Sequence, residues 1–232
     1  MSEYRINNLY ITEKNDYEWQ SRVLDHMGDM KVVSAPHQVG KTFMCRDAVI
    51  EALEYGRLSQ NILYYTPAGS PSVRRMVKNI TRPLENESED VTAGQSDGCY
   101  IIRDVERDTA IYLPMDRTAL CRKLGSGLRF QMLVMDDADE MNPVILHTVI
   151  LKGAVDEASM LFVGSHAGEE RNPGEKSMWC WLLNHPSADV FYVQHDFPML
   201  ATAADSALDC AASLTHYLKD VLLRPSAAPS AA

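Results

Sequence analysis

Short apolar runs alternate with amphipathic stretches over most of this chain. Buried strands are predicted where apolar runs end in turn-forming residues, at 31–34, 61–66, 131–136, 159–166 and 189–195. Helices are predicted where apolar residues recur at helical spacing, at 17–27, 43–50, 72–84, 142–151, 177–183 and 207–223. Strands and helices in this alternation predict an α/β fold with a central, mostly parallel sheet flanked by helices.

The stretch between residues 85 and 129 departs from this alternation. An acidic loop is predicted at 85–90, followed by a hairpin of strands 99–103 and 109–113 around the charged turn 104–108. Residues 122–129 are basic and rich in glycine, which predicts a mobile loop carrying Arg122 and Arg129.

The two ends differ from the middle of the chain. Residues 1–15 are polar and predict a flexible N-terminal segment, whereas 16–223 predict one folded domain. The Ala/Pro/Ser-rich residues 224–232 predict a disordered tail or a linker.

Composition narrows the class of protein. The 232 residues suffice for one sizeable α/β domain, and 46% hydrophobic with 23% charged residues is typical of a globular chain. A net charge of −10 argues against coating nucleic acid with the whole surface, although the basic stretches 74–82 and 117–129 are either local patches or solvated faces. No apolar run approaches the roughly 20 residues that span a bilayer, so no membrane partner is expected.

A phosphate-binding loop is predicted at 35–42, where an apolar strand leads through Gly40-Lys41-Thr42 into a helix. Unpaired N–H groups and the helix dipole favour a polyphosphate there, with Lys41 on the terminal phosphates and Thr42 on a magnesium ion. The loop is a variant, because Ala35 replaces the usual glycine and the interval holds Pro36, His37, Gln38 and Val39. The alternative is a chance Gly-Lys-Thr at an ordinary helix start.

A second chemical motif follows the strand at 131–136. This apolar strand ends in carboxylates, at the edge of a parallel sheet where ligands bind. Asp136 is expected to hold magnesium opposite Thr42, and Asp137 to orient or deprotonate an attacking water. A surface acidic turn is the alternative, but packing alone does not require acids after a fully apolar strand.

Weaker signals come from two further places. Tyr17 and Gln20 lie about 20 residues before the loop, a distance at which many motor ATPases and helicases recognise adenine; a helix with one buried tryptophan is the simpler interpretation. Ser165 and His166 end the strand 159–166 and can sense a terminal phosphate from there, although His166 could equally be a surface histidine.

In this order, the motifs resemble the ATPase domain of tailed-bacteriophage large terminase subunits, the motors that pump DNA into a procapsid. The resemblance covers roughly residues 17–193. It implies an ASCE-type P-loop NTPase that hydrolyses ATP with Mg²⁺. It assigns adenine binding to Tyr17 and Gln20, phosphate binding to 35–42, and coupling of hydrolysis to movement to Ser165 and His166.

The resemblance also implies partners and a location. The implied partners are double-stranded DNA, other copies in a homo-oligomeric ring, a portal protein and a small terminase subunit. The implied location is the cytoplasm of an infected bacterial host, transiently at the procapsid portal. The nuclease half of a terminase is expected to be absent from this chain, either removed or carried by a separate polypeptide.

Two departures from the terminase pattern affect the expected mechanism. Many terminases carry an arginine within the phosphate-binding loop, where this chain has His37, which lacks a permanent charge. A cation is then expected from Arg122 or Arg129, supplied to a neighbouring subunit of the ring. The family also places a glutamate where Asp137 stands, which leaves Glu140 as an alternative base.

Two other functions fit parts of the pattern. Residues 136–139 resemble the Asp-Glu-Ala-Asp box of superfamily 2 helicases, but the second ATP-binding half of such enzymes has no room here. A non-catalytic nucleotide-binding adaptor would keep the fold without turnover, and His37 and Asp137 favour it.

Overall fold

The computed structural model of this chain describes residues 9–13, 18–56, 58–87, 90–165, 178–179 and 181–194. The strands are β1 Leu9–Glu13, β2 Met30–Ala35, β3 Asn61–Tyr65, β4 Val91–Ser96, β5 Cys99–Asp104, β6 Thr109–Pro114, β7 Met132–Asp136, β8 Ser159–Ser165 and β9 Asp189–Gln194. The helices are α1 Glu18–Leu24, α2 Lys41–Tyr55, α3 Ser70–Glu87, α4 Arg117–Leu124 and α5 Pro143–Asp156, and a short 3₁₀ turn spans Ala138–Glu140.

These strands form a single mixed sheet in the described part of the chain, in the order β1-β9-β2-β8-β7-β3-β6-β5-β4. Along this order, every pair from β1 to β6 is parallel, whereas β5 runs in the opposite direction and pairs antiparallel with both β6 and β4. The predicted α/β fold with a mostly parallel sheet is confirmed. Parallel pairing brings the carboxyl ends of β2, β8, β7 and β3 to one edge, where such folds bind ligands.

Helices cover both faces of the sheet because successive strand residues point to opposite sides. On β7, Leu133 and Met135 pack in the core beneath α4 and α5, whereas Val134 packs in the core beneath α1, α2 and α3. Both cores are formed by fully buried apolar side chains, which explains why the central strands read as continuous hydrophobic runs.

The structure differs from the sequence predictions at the margins of the sheet. Strand β1 lies inside the segment 1–15, which was expected to be flexible, and pairs in parallel with β9. The predicted acidic loop 85–90 is wrong for residues 85–87, because α3 extends through Glu87. Strand β4 then forms although five of its six residues are exposed, because its backbone pairs with β5. Arg122 belongs to the last turn of α4 and not to a mobile loop, since Asp116 caps that helix by accepting the Ala119 N–H.

Two further sequence predictions concern the first helix and the C-terminal residues. Helix α1 is shorter than predicted, and Lys31 donates to the carbonyls of Val23 and Leu24 at 2.8 and 3.0 Å, which satisfies the end of that helix. The predicted helix 207–223 and the tail 224–232 lie outside the described residues. None of the described helices combines the length and apolarity needed to cross a bilayer.

Candidate active site

The phosphate-binding loop joins β2 to α2 at the carboxyl edge of the sheet. Gln38 and Gly40 both have positive φ, 62° and 90°, which turns the chain sharply into the helix. A Cβ on Gly40 would lie 2.6 Å from Gln20 Nε2, so the Gln20 amide would have to shift, and the left-handed backbone at this position favours glycine. No side chain caps the start of α2, so its N–H groups remain available to an anion.

Helix α1 braces this loop. Gln20 Nε2 lies 3.5 Å from the Val39 carbonyl oxygen and 3.4 Å from that of Gly40, and donates toward both. Gln20 therefore sits beside the loop, as its sequence position predicts, and its adenine-binding role stays a prediction. Tyr17 lies outside the described residues.

Lys41 is held in place without a nucleotide. Its side chain is only 8% exposed, and Nζ donates to the Ala35 carbonyl at 3.3 Å. The ammonium group also favours the ionised forms of Asp137 and Asp139. Lys41 thus lies between the loop and the acidic end of β7, where the terminal phosphates of a nucleotide would meet it.

Asp136 is the most enclosed carboxylate of the site, with 2% of its surface exposed. Tyr64 donates to its Oδ2 at 2.9 Å, the Thr42 hydroxyl donates to it as well, and the Asp137 N–H donates to Oδ1 at 3.1 Å. Burial and the neighbouring Asp137 raise the pKa of Asp136 to about 6, against the opposing effects of Thr42, Tyr64 and Lys41.

The donor set at Thr42 and Asp136 fits magnesium. No group of three or more His, Cys, Asp or Glu suited to a metal occurs among the described residues. Magnesium usually takes one or two protein oxygens and completes its shell with water and phosphate oxygens, so a hydroxyl beside a carboxylate is a sufficient set. When bound there, the ion would neutralise phosphate charge.

We expect Asp136→Asn to stabilise the metal-free protein at pH 8. A folded-state pKa of about 6 against the ordinary 3.8 means that the folded chain keeps a proton that the unfolded chain loses. The resulting cost is absent below pH 4, grows as pH rises and is complete above pH 6. It amounts to about 3 kcal/mol, reduced by about 1 kcal/mol for a weakened hydrogen bond.

Urea unfolding in a metal chelator at pH 8 and pH 4.5 measures this difference. The exposed residue Asp97 provides the matched control, because Asp97→Asn removes a charge without relieving burial. A variant at Asp136 that is less stable than the wild type at pH 8 would contradict the expected sign.

Asp137 faces a cavity of about 100 Å³ that it shares with Thr42, Thr66 and Asp136. Its backbone is left-handed, with φ 53°, which turns the chain at the end of β7. Thr66 Oγ1 lies 3.5 Å from Asp137 Oδ2 and donates toward it, and burial raises the pKa of Asp137 above its usual value. Glu140 is exposed and does not line this cavity, whereas Asp137 does; which of the two acts as the base stays a prediction.

The polar end of β8 is linked to the loop. Ser165 Oγ lies 3.2 Å from His37 Nε2, and the Ser165 backbone N–H donates to Asp139. Ser165 therefore contacts both the loop and the turn after β7, and its coupling role stays a prediction. His166 lies outside the described residues.

Arg122 and Arg129 lie away from the site of their own chain. Arg129 sits at the amino edge of the sheet, bound to Glu157 at 3.0 Å and to the Asp156 carbonyl at 3.1 Å. Arg122 lies beside Gly98, at the turn between β4 and β5. The structure brings neither arginine to Lys41, and their action on a neighbouring subunit stays a prediction.

Several side chains of the site have no motif in the sequence. Tyr64 and Cys45 both hydrogen-bond to Asp136 from buried positions, and Thr66 supports Asp137. Tyr64 is one of two tyrosines at the end of strand β3, which was the available signal. Arg75 and Asn79 line the cavity from α3, and only the packing of α3 beside β3 reveals this.

Comparison with known proteins gives a match in structure alone. No family model and no characterised protein matches the sequence. The large terminase of a thermophilic bacteriophage superposes with a TM-score of 0.58 at 16% identity, over 77% of this chain and 45% of that one. The ATPase domain of the Thermus phage P74-26 large terminase gives 0.53 at 12% identity, over 92% of this chain and 90% of that domain.

This chain has the fold of a large terminase ATPase domain. The HK97 bacteriophage large terminase matches similarly, with a TM-score of 0.55 and 16% identity over 78% of this chain and 38% of that one. The chain therefore spans about half the length or less of those two large terminases, and nearly all of the isolated ATPase domain. The thermophilic phage protein has also been solved with ADP and with ATP-gamma-S.

Proposed function

We propose that this chain is an ATP-hydrolysing motor domain that drives viral double-stranded DNA into a procapsid. The observation that carries the proposal is the meeting of Lys41, Thr42, Asp136 and Asp137 at the carboxyl edge of one sheet. The fold is that of terminase ATPase domains, and related structures hold adenine nucleotides, which supports ATP as the substrate.

The chemistry assigned to this site is phosphoanhydride hydrolysis. The triphosphate lies along the loop, with its terminal phosphates against Lys41 and the first N–H groups of α2. Thr42 and Asp136 would hold Mg²⁺, which would neutralise charge on the phosphates. Asp137 takes a proton from a water in the adjoining cavity, the water oxygen bonds to the γ-phosphorus, and the bond to the departing ADP oxygen breaks.

The proposed coupling route runs through Ser165. Its hydroxyl contacts His37 on the loop and its backbone N–H contacts Asp139, so a change at the loop would reach the end of β8 and the turn after β7. The proposed partners are double-stranded DNA, a homo-oligomeric ring of this chain, a portal protein and a small terminase subunit. The proposed location is the cytoplasm of an infected bacterial host, transiently at the procapsid portal.

Phosphate release from Mg-ATP tests the proposal directly. We expect the full 232-residue chain to release phosphate, and Lys41→Ala to reduce turnover by about 100-fold or more, because it removes the cation that faces the terminal phosphates. The assay is run with and without double-stranded DNA.

A matched control separates loss of the phosphate-facing cation from a general effect of removing a lysine. Lys78→Ala removes an exposed lysine of α3 that does not line the cavity, so its turnover without DNA should stay close to that of the wild type. Measurable ATP binding without turnover above the Lys41→Ala background would reject the motor and leave the nucleotide-binding adaptor.

A further inference from the structure

The cavity beside Asp137 extends from the phosphate-binding loop to α3. Thr42, Asp136 and Asp137 line one side, and Arg75 and Asn79 line the other. Its volume of about 100 Å³ is enough for a few water molecules or a phosphoryl group. Substrate phosphate at the loop and a side chain on α3 would therefore share one small space.

Arg75 is the only cationic side chain on the described lining of this cavity. It forms no hydrogen bond or ion pair with any residue that the structure describes, in contrast to Arg129, which is bound to Glu157. A guanidinium that has no partner among the described residues, in a cavity lined by two carboxylates, can turn toward an anion without first breaking an ion pair to those residues.

Hydrolysis of ATP at this site would be accelerated by a cation beside the γ-phosphate. Negative charge spreads over the γ-phosphate oxygens during phosphoryl transfer, and a positioned arginine accelerates that step by about 10³–10⁵-fold in enzymes that use one. His37 cannot supply a permanent charge, and it is turned toward Ser165 at 3.2 Å. Among the arginines that the structure describes, Arg75 is the one that lines this cavity.

We propose that Arg75 is a catalytic residue that binds the γ-phosphate oxygens from within the same subunit. This assignment rests on the proposed ATPase function. As the water oxygen bonds to phosphorus, the bond from phosphorus to ADP breaks with its electron pair on ADP, and the water proton passes to Asp137. Arg75 keeps its protons throughout and balances the oxygen charge electrostatically.

Arg75→Ala and Arg74→Ala form a matched pair for the test. Both residues are exposed on the same turn of α3, but only Arg75 lines the cavity. For Arg75→Ala we expect kcat to fall by about 100-fold with KM for Mg-ATP within about threefold, both without DNA and at saturating DNA. Arg74→Ala should match the wild type, and Arg75→Lys should be intermediate because it lacks the planar fork.

Nucleotide binding gives a readout that is independent of turnover. Affinity for ADP with aluminium fluoride, which imitates the transferring phosphoryl group, should fall at least about tenfold in Arg75→Ala, whereas affinity for ADP alone should not change. If Arg75→Ala is as active as Arg74→Ala, or if the substitution changes only KM, the role given to Arg75 is wrong while the proposed ATPase function stands. A wild-type chain without turnover would overturn the proposed function itself.

Discussion

Asp137→Asn should lower the turnover of ATP by about 10²–10⁴-fold, the range lost when a general base is removed. Asp137 lines the cavity next to Thr42 and is held by Thr66, whereas Glu140 is exposed one turn further along. Asparagine keeps the shape and the contact with Thr66 but accepts no proton. ATP affinity should therefore stay close to that of the wild type while kcat falls.

Glu140→Gln is the matched variant for this prediction. It removes a carboxylate from the same 3₁₀ turn, yet it should retain turnover within about threefold of the wild type. Single-turnover hydrolysis and nucleotide titration of both variants provide the two measurements. If Glu140→Gln loses turnover and Asp137→Asn does not, the base is Glu140 and the role given to Asp137 is wrong.

Gly164→Ala should destabilise the folded protein by about 3 kcal/mol, at the upper end of the usual cost of overpacking. A Cβ at this position would lie 2.5 Å from Trp179 Cζ2, 2.7 Å from Cη2 and 2.9 Å from Asp139 Oδ1. Trp179 is only 1% exposed, so its ring cannot turn away into solvent. For a chain of this size, we expect the melting temperature to fall by about 6–12 °C.

Gly94→Ala is the control for this substitution. Gly94 lies on the exposed strand β4, and a Cβ there would meet nothing within 4 Å, so we expect a change below about 0.5 kcal/mol. Urea and thermal unfolding compare the two variants. Adding Trp179→Leu to Gly164→Ala should recover part of the loss. Equal stability of the two alanine variants would show that Trp179 does not pack against β8.

The parts of the fold that follow from local patterns were predictable. The phosphate-binding loop at 35–42 was predictable because Gly40, Lys41 and the start of α2 are adjacent in the sequence. These few residues specify both the turn of the backbone and the position of the cation. Strand β7, which ends in carboxylates, was predictable for a similar reason. A strand that is buried on both faces is a continuous apolar run, and such a run can be recognised without knowing which strands pair with it.

The remaining parts depend on pairings across the chain. Strand β4 is exposed, so its hydrophobic pattern is weak and only its pairing with β5 identifies it as a strand. Tyr64 contacts Asp136 because β3 pairs with β7, although the two residues are 72 positions apart in the sequence. Arg75 similarly enters the cavity through the packing of α3 above the sheet, which periodicity alone cannot determine.

The bond from Lys41 to the Ala35 carbonyl has a consequence for the kinetics of nucleotide capture. Because the ammonium group is already confined beside the loop, folding has already restricted its rotamers. For Lys41, an arriving triphosphate replaces one hydrogen-bond acceptor by another, so this lysine does not have to be ordered on binding. Association should then depend mainly on diffusion of the nucleotide to the site, and differences in affinity among loop variants should appear chiefly as differences in the dissociation rate.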